Sequence, residues 1–227
     1  MADILLTEKY RPKTLNEMVG QDISKVKEMI KEPMKMPNFL FVSRSPGTGK
    51  STMAFAIKNE IGCPASDFLS CNSSDERKLE FIRDKLKPFS QSMRAKKDVP
   101  RLVMLDEMDG MLTATQEALR GLMEKYTKNV RFIITANDEN GIIEPIRSRC
   151  VIIRFREPPK EDIFKRLDYI CEQEKIKCDT IGLTKIVDMY YPDMRSMINN
   201  IQELASVGIT EDKIKTITVE PKEPDDI

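Results

Sequence analysis

The sequence predicts an α/β fold: a mainly parallel five-stranded sheet covered by helices on both faces, followed by a small all-helical domain. Three observations predict it. Short apolar, β-prone runs alternate with helical periods as far as Phe155 of the 227-residue chain. A Gly-rich turn, Pro46-Gly47-Thr48-Gly49-Lys50-Ser51, joins the first such run to a helix. Beyond Pro158-Pro159 only helical periods remain.

Taken in order, Phe39-Leu40-Phe41-Val42 is the first buried strand. Met53, Ala54, Ile57 and Ile61 then share one face of a helix that Gly62 is placed to end. Between them, Ser43 to Ser51 has the layout of a phosphate-binding loop. Gly47 and Gly49 let backbone N–H groups turn toward phosphate oxygens, Lys50 reaches the same oxygens, and the Ser51 hydroxyl suits Mg²⁺. Thr52 extends the nucleotide-facing stretch. Arg44 stands where the usual pattern has its first glycine, yet Gly47 to Ser51 is intact. A chance Gly-rich turn is the bland alternative.

Phe68-Leu69-Ser70-Cys71 reads as the second strand, and a helix runs from Ser74, which can cap it, through Phe89. Arg83 and Lys87 lie one turn apart on that helix, where a solvated face is the ordinary reading. The third strand, Leu102-Val103-Met104-Leu105, delivers Asp106-Glu107 to the C-terminal edge of the sheet, where ligands of open α/β sheets bind. Asp106 can hold Mg²⁺ through water and Glu107 can polarise an attacking water; a surface acidic turn is the alternative. Thr113-x-x-Gln116 reads as a capping box opening the next helix. The fourth strand, Val130 to Ile134, leads to Asn137, whose amide could hold the attacking water or report a γ-phosphate, and which alone reads as a turn residue.

Val151 to Phe155 is the fifth strand. Helical periods follow at Ile163, Phe164, Leu167 and Ile170, at Leu183, Ile186, Val187 and Tyr190, and at Met194, Met197, Ile198, Ile201 and Leu204. These give an α/β domain over 1–157, a helical domain over 158–208, and a tail over 209–227 too poor in apolar residues to pack.

Composition narrows the function classes. The 37 Lys and Arg balance 37 Asp and Glu, so any nucleic-acid partner must be held by local patches. The chain has no histidine and five cysteines without a C-x-x-C pair, which speaks against a zinc site and against His-based acid–base chemistry. No apolar stretch is long enough to span a bilayer and no signal-peptide pattern is present. The expectation is an intracellular protein, cytoplasmic or nuclear, with free thiols and no membrane partner.

The order Glu8-Lys9-Tyr10-Arg11-Pro12, the phosphate loop, Asn72-Ser73-Ser74-Asp75-Glu76-Arg77, Asp106-Glu107 and Ser148-Arg149-Cys150 resembles the small subunits of AAA+ clamp loaders, those of replication factor C and their counterparts in T-even-type bacteriophages. The match runs from about Leu6 to about Leu204. Met108-Asp109 and the non-glycine at Arg44 resemble the phage branch.

The resemblance implies ATP and Mg²⁺ as cofactors, and other loader subunits, a sliding clamp and primer–template DNA as partners. It implies an adenine pocket from Tyr10, Arg11 and Pro12, with Val19 as an apolar wall, a first sensor at Asn137, and a second sensor at Arg195 reaching the γ-phosphate. Arg149 matches an arginine finger acting on a neighbouring subunit's ATP. DNA-backbone contacts are implied for the helix bearing Ser74, Arg83 and Lys87. Gln116 and Arg120 would link DNA and neighbouring subunits to the ATP site, and Arg77 or Lys78 would hold Glu107 away from the water until DNA arrives. Family members continue into a helical collar domain, so the sequence reads as stopping short of one. A non-hydrolysing scaffold subunit and another AAA+ machine such as a helicase loader stay open as alternatives.

Overall fold

The computed structural model describes residues 5–73 and 78–210. They divide into two compact units, residues 12–156 and residues 5–11 with 157–210.

The larger unit is built on five strands: β1 (Asn38–Val42), β2 (Phe68–Asn72), β3 (Arg101–Asp106), β4 (Val130–Ala136) and β5 (Cys150–Arg154). Their order is β2-β3-β4-β1-β5, and every pairing is parallel. Parallel strands need crossovers, so both faces of this sheet are covered and its central strands are apolar on both sides. Successive side chains point to opposite faces. Leu40, Val103, Leu105, Phe132 and Ile134 fill one core, with Phe81, Ile82 and Leu86 and with Leu119 and Met123 from the covering helices. Phe39, Phe41, Leu102, Met104 and Ile133 fill the other, against Val26, Met53, Ala54 and Ile57.

The helices over the second core are α2 (Ser24–Ile30) and α3 (Lys50–Glu60). Those over the first are α4 (Leu79–Phe81), a π-helical turn (Ile82–Leu86) running into α5 (Lys87–Gln91), then α6 (Thr113–Lys125) and the short α7 (Glu144–Arg147). Gly62, at φ +65°, follows the last turn of α3 as expected.

The capping box expected at Thr113 and Gln116 does not form. Leu112 is the N-cap residue and no side chain caps it. Gln116 is 2% exposed and its amide is committed elsewhere, donating to the Met111 carbonyl at 3.0 Å and the Gly141 carbonyl at 2.8 Å, while its oxygen accepts from Ile143 N–H at 2.9 Å.

A buried ion pair lies at the start of β3, which begins one residue before the apolar run Leu102 to Leu105. Arg101 pairs with Asp67 at 3.2 Å and stacks on Phe89 with 3.9 Å to the ring centre. Asp67 also accepts the Ala95 N–H at 2.7 Å.

The helical unit consists of α1 (Leu6–Lys9), α8 (Lys160–Glu174), α9 (Thr180–Tyr190) and α10 (Met194–Leu204) around Ile163, Leu167, Ile170, Leu183, Ile186, Met197 and Ile201. Its extent differs from expectation at both ends. Leu6 is buried in this core, its N–H bonded to Gln202 Oε1 at 2.8 Å, so the N-terminal arm belongs to the helical unit. Tyr10 donates to Glu174, Lys9 pairs with Glu174 at 2.6 Å, and Arg166 donates to the Tyr10 carbonyl at 2.8 Å. Ile209, expected in the tail, is fully buried and bridges to Cys178. Residues 211–227 lie outside the described residues. Burial pushes the Cys171 thiol in this core up to about 12.

Candidate functional site

Strand parity builds the site. Asp106 continues the Leu102, Met104 face of β3, and Thr135 and Asn137 continue the Ile133 face of β4; both faces are covered by α3. The phosphate loop ends where α3 begins, so Lys50 and Ser51 arrive against those residues. Ser51 Oγ lies 2.9 Å from each oxygen of Asp106. Lys50 Nζ donates to Asn137 Oδ1 at 2.9 Å and to the Ser43 carbonyl at 3.2 Å.

Within the loop, Gly47 (φ +66°) and Gly49 (φ +98°) occupy the left-handed region that only glycine enters freely. Gly49 also faces Met18, whose Cε lies 3.0 Å from where a Cβ would stand. Arg44 does not have a positive φ, which is why the pattern tolerates a side chain there. Thr48 is buried, with Oγ1 3.5 Å from the Ser45 carbonyl, Pro46 is exposed, and Thr52 is half-buried. Val19 is half-buried beside Met18.

Thr135 was not singled out by its sequence position, yet it organises the acidic pair. Its hydroxyl donates to Asp106 Oδ1 and accepts the Glu107 N–H at 3.0 Å. Glu107 sits at φ +54°, ψ +44°, a left-handed conformation that persists for a non-glycine residue where its surroundings over-determine it. Its side chain is exposed at the sheet edge. The signal that could have found Thr135 is a lone hydroxyl in the run Phe132 to Ala136, otherwise apolar, one register step beyond the Leu105–Ile134 pair.

Asp109 follows in the turn Met108–Gly110. Its Oδ2 accepts from the N–H groups of Asn137 at 3.1 Å and Asp138 at 3.2 Å, and its Oδ1 is buried without a hydrogen-bond partner.

Among the described residues no group of three or more His, Cys, Asp and Glu could hold a metal. Ser51 and Asp106 instead offer hard oxygens side by side, the donor set that fits a Mg²⁺ taking its remaining ligands from water and phosphate.

Arg149 lies at the other end of the strands. Cys150 pairs with Asn38 at the start of β1, whereas the phosphate loop leaves the end of β1 at Ser43. The Arg149 guanidinium donates to the Pro145 carbonyl at 2.5 Å and pairs with Glu124 near the end of α6. Arg120 forms its own pairs on the same face, with Glu117 at 3.2 Å and Glu124 at 3.9 Å.

The remaining expected residues are dispersed. Arg83 and Lys87 are exposed on the helix over 79–91, and Lys78 is exposed just before it. Ser74 and Arg77 fall outside the described residues. Tyr10 and Arg11 belong to the helical unit, where Arg11 pairs with Glu8 at 2.5 Å, while Pro12 opens the larger one. Arg195 occupies the first turn of α10, where Asp193 caps its N–H at 3.0 Å. No helix among the described residues is long and apolar enough to cross a membrane.

Comparison with known proteins bears on this geometry. Residues 39–158 match the family described as "ATPase family associated with various cellular activities (AAA)". A replication factor C small subunit of Staphylothermus marinus is 44% identical over 220 residues, covering 94% of this chain and 66% of that protein. A replication factor C small subunit 2 of Pyrobaculum arsenaticum is 41% identical over 221 residues, covering 94% of this chain and 68% of that one. The chain thus spans about two thirds of the length of these curated relatives. Among solved structures, a Thermotoga maritima RuvB Holliday junction branch migration motor aligns with a TM-score of 0.73 at 18% identity, covering 92% of this chain and 72% of that chain. At that identity the likeness concerns the fold alone.

Proposed function

Because the chain belongs to the replication factor C small-subunit family of AAA ATPases, we propose that it is an ATPase subunit of a sliding-clamp loader. In this reading it binds ATP and Mg²⁺, works in a ring of loader subunits that places a clamp on primer–template DNA, and hydrolyses ATP to release it. The observation that carries the reading is the joint placement of Lys50 on Asn137 and Ser51 on Asp106 at the C-terminal edge of a parallel sheet. The finer kinship with the bacteriophage branch rests on Arg44 and Met108-Asp109 alone, and the collar domain is an expectation from the resemblance.

In this reading each side chain has its own task. Backbone N–H groups from Gly47 to Ser51 and the Lys50 ammonium bind the phosphates. Ser51 and Asp106 would hold Mg²⁺, which when bound neutralises charge on the phosphate oxygens. Glu107, kept in place through its N–H on Thr135, orients and polarises the water. Asn137, already oriented by Lys50, reports the γ-phosphate. Val19, Tyr10, Arg11 and Pro12 serve the adenine, and Arg195 serves as the second sensor. Ser74, Arg83 and Lys87 face DNA phosphates, with Arg77 or Lys78, Gln116 and Arg120 linking DNA and neighbours to Glu107.

For Arg149 the sheet register supports action in trans. The residue after it, Cys150, is level with Asn38, five residues before Ser43, roughly 16 Å of extended chain. An arginine side chain does not span that distance back to its own phosphate loop.

Paired substitutions test the ATP site. Lys50→Ala should lose nucleotide binding. Glu107→Gln should keep ATP affinity while turnover falls by about 10²–10⁴, the range for a lost general base. Unchanged ATP affinity in Lys50→Ala, by equilibrium binding, would sink the phosphate-loop reading.

A further inference from the structure

Asp109 has no role in the scheme above, yet it bonds the backbone of Asn137, the residue on Lys50. It lies in a turn anchored by Met108 and Met111, both buried, and the turn starts from Glu107 itself, whose carbonyl accepts the Gly110 N–H at 3.1 Å. From there one carboxylate oxygen grips two successive N–H groups of the loop after β4, at Asn137 and Asp138. Two N–H donors converging on one oxygen fix the loop backbone more firmly than a single hydrogen bond would. The Asn137 side chain then accepts from Lys50 at 2.9 Å. A continuous chain of hydrogen bonds therefore runs from the turn after Glu107, through Asp109 and the Asn137 backbone, to the phosphate-loop lysine.

Gly141 makes the fit possible. A Cβ there would stand 2.7 Å from Asp109 Cβ and 3.1 Å from its Cα, so the loop reaches the carboxylate only because this residue has no side chain. The other side of the same stretch is held by Gln116 at the Gly141 carbonyl and Ile143 N–H.

We infer that Asp109 is a positioning residue: by holding the backbone of Asn137 and Asp138 it sets where the Asn137 amide meets the γ-phosphate. The inference rests on the sensor reading of Asn137 given above. It makes a further claim about the unpartnered oxygen. Only Oδ2 is used, so an amide with its carbonyl at that position keeps the grip, and Asp109→Asn should retain what Asp109→Ala loses.

The test compares ATPγS and ADP affinities, by competition against a fluorescent nucleotide, for Asp109→Ala, Asp109→Asn, Asn137→Ala and the double Ala variant. Loss of general stability would weaken both nucleotides together. Loss of sensor placement lowers the ATPγS-over-ADP preference, by about tenfold for one charge-assisted hydrogen bond. Asp109→Ala should match Asn137→Ala, Asp109→Asn should recover most of the preference, and the double variant should lose no more than either single one. Gly141→Ala, which crowds the carboxylate without removing it, should lower the same ratio and serves where Asp109→Ala fails to fold. A native preference in both Asp109→Ala and Gly141→Ala beside a lost one in Asn137→Ala overturns the inference alone, as does additive loss in the double variant. A native preference in Asn137→Ala overturns the sensor reading together with it.

Discussion

One hydroxyl fixes the acidic pair. Thr135 donates to the Asp106 carboxylate and accepts the Glu107 N–H, so the Asp106 side chain and the Glu107 backbone are held by the same atom. Thr135→Val keeps the shape and removes both bonds, leaving Asp106 to Ser51 and taking the hydroxyl from the Glu107 N–H. We expect a loss of about 1–2 kcal/mol in urea denaturation and a fall in turnover larger than the fall in ATP affinity, with Thr135→Ser restoring both. A Val variant with native turnover would show that Asp106 and Glu107 hold themselves. At this scale the phosphate loop and the acidic pair were legible because their residue types are unusual where they stand: glycines at positive φ, and carboxylates ending an apolar strand. Thr135 and Asp109 were not, since threonine suits any strand and aspartate any turn. Their meaning lies in which neighbour they face, and that is set by register between strands distant in sequence.

Among elements, strands were read best, because a parallel sheet covered on both faces makes each central strand a continuous apolar run. The reading failed where a charge is buried. Arg101 begins β3 yet was taken as lying before it, since a guanidinium reads as surface until its partner is seen. Breaking such a pair leaves an uncompensated charge indoors, so Asp67→Ala should cost about 3 kcal/mol by chemical denaturation. A loss below about 1 kcal/mol would mean that the carbonyls around Arg101 suffice without the carboxylate. The capping box at Thr113 was a correct pattern with the wrong outcome, because Gln116 gains more by satisfying buried backbone groups of the loop before α7 than by folding back on its own helix. The N-terminal arm shows the same priority of packing over sequence order, and it has a pH signature. The hydrogen bonds from Lys9 and Tyr10 hold the Glu174 carboxyl below its usual range. A depressed carboxylate contributes stability above its unfolded value, about 4.3, and that contribution is lost as pH falls through the folded value. Native protein should therefore exceed Glu174→Gln in thermal stability near neutrality, with the gap closing as the pH falls below the unfolded value. A gap constant across that range would place the arm's attachment in Leu6 rather than in the ion pair.

At the scale of the whole molecule the sheet has two working ends. Lys50, Ser51, Asp106 and Asn137 gather at the C-terminal edge, while Arg149 stands before β5 at the opposite one. In the proposed trans reading, an Arg149 this far from the phosphate loop completes a site only with a neighbour, in a head-to-tail contact of the kind that builds rings. The exposed pair with Glu124 does not oppose this. Surface ion pairs are worth about 0–1 kcal/mol, whereas arginine fingers contribute about 10³–10⁵ in rate, so the Arg149 guanidinium is released or shared at little cost. Arg149→Ala should then leave the chain's own ATP affinity near native while hydrolysis in the adjacent subunit fails. The decisive measurement mixes Arg149→Ala chains, whose ATP site is intact, with Lys50→Ala chains, whose finger is intact, in full-length assemblies with partner subunits. Interfaces that join the intact site to the intact finger should recover a share of native phosphate release that rises and falls with the mixing ratio. Mixtures as inactive as either parent, with co-assembly demonstrated by light scattering, would contradict action in trans and leave Arg149 a residue that ties α7 to α6 through Pro145 and Glu124.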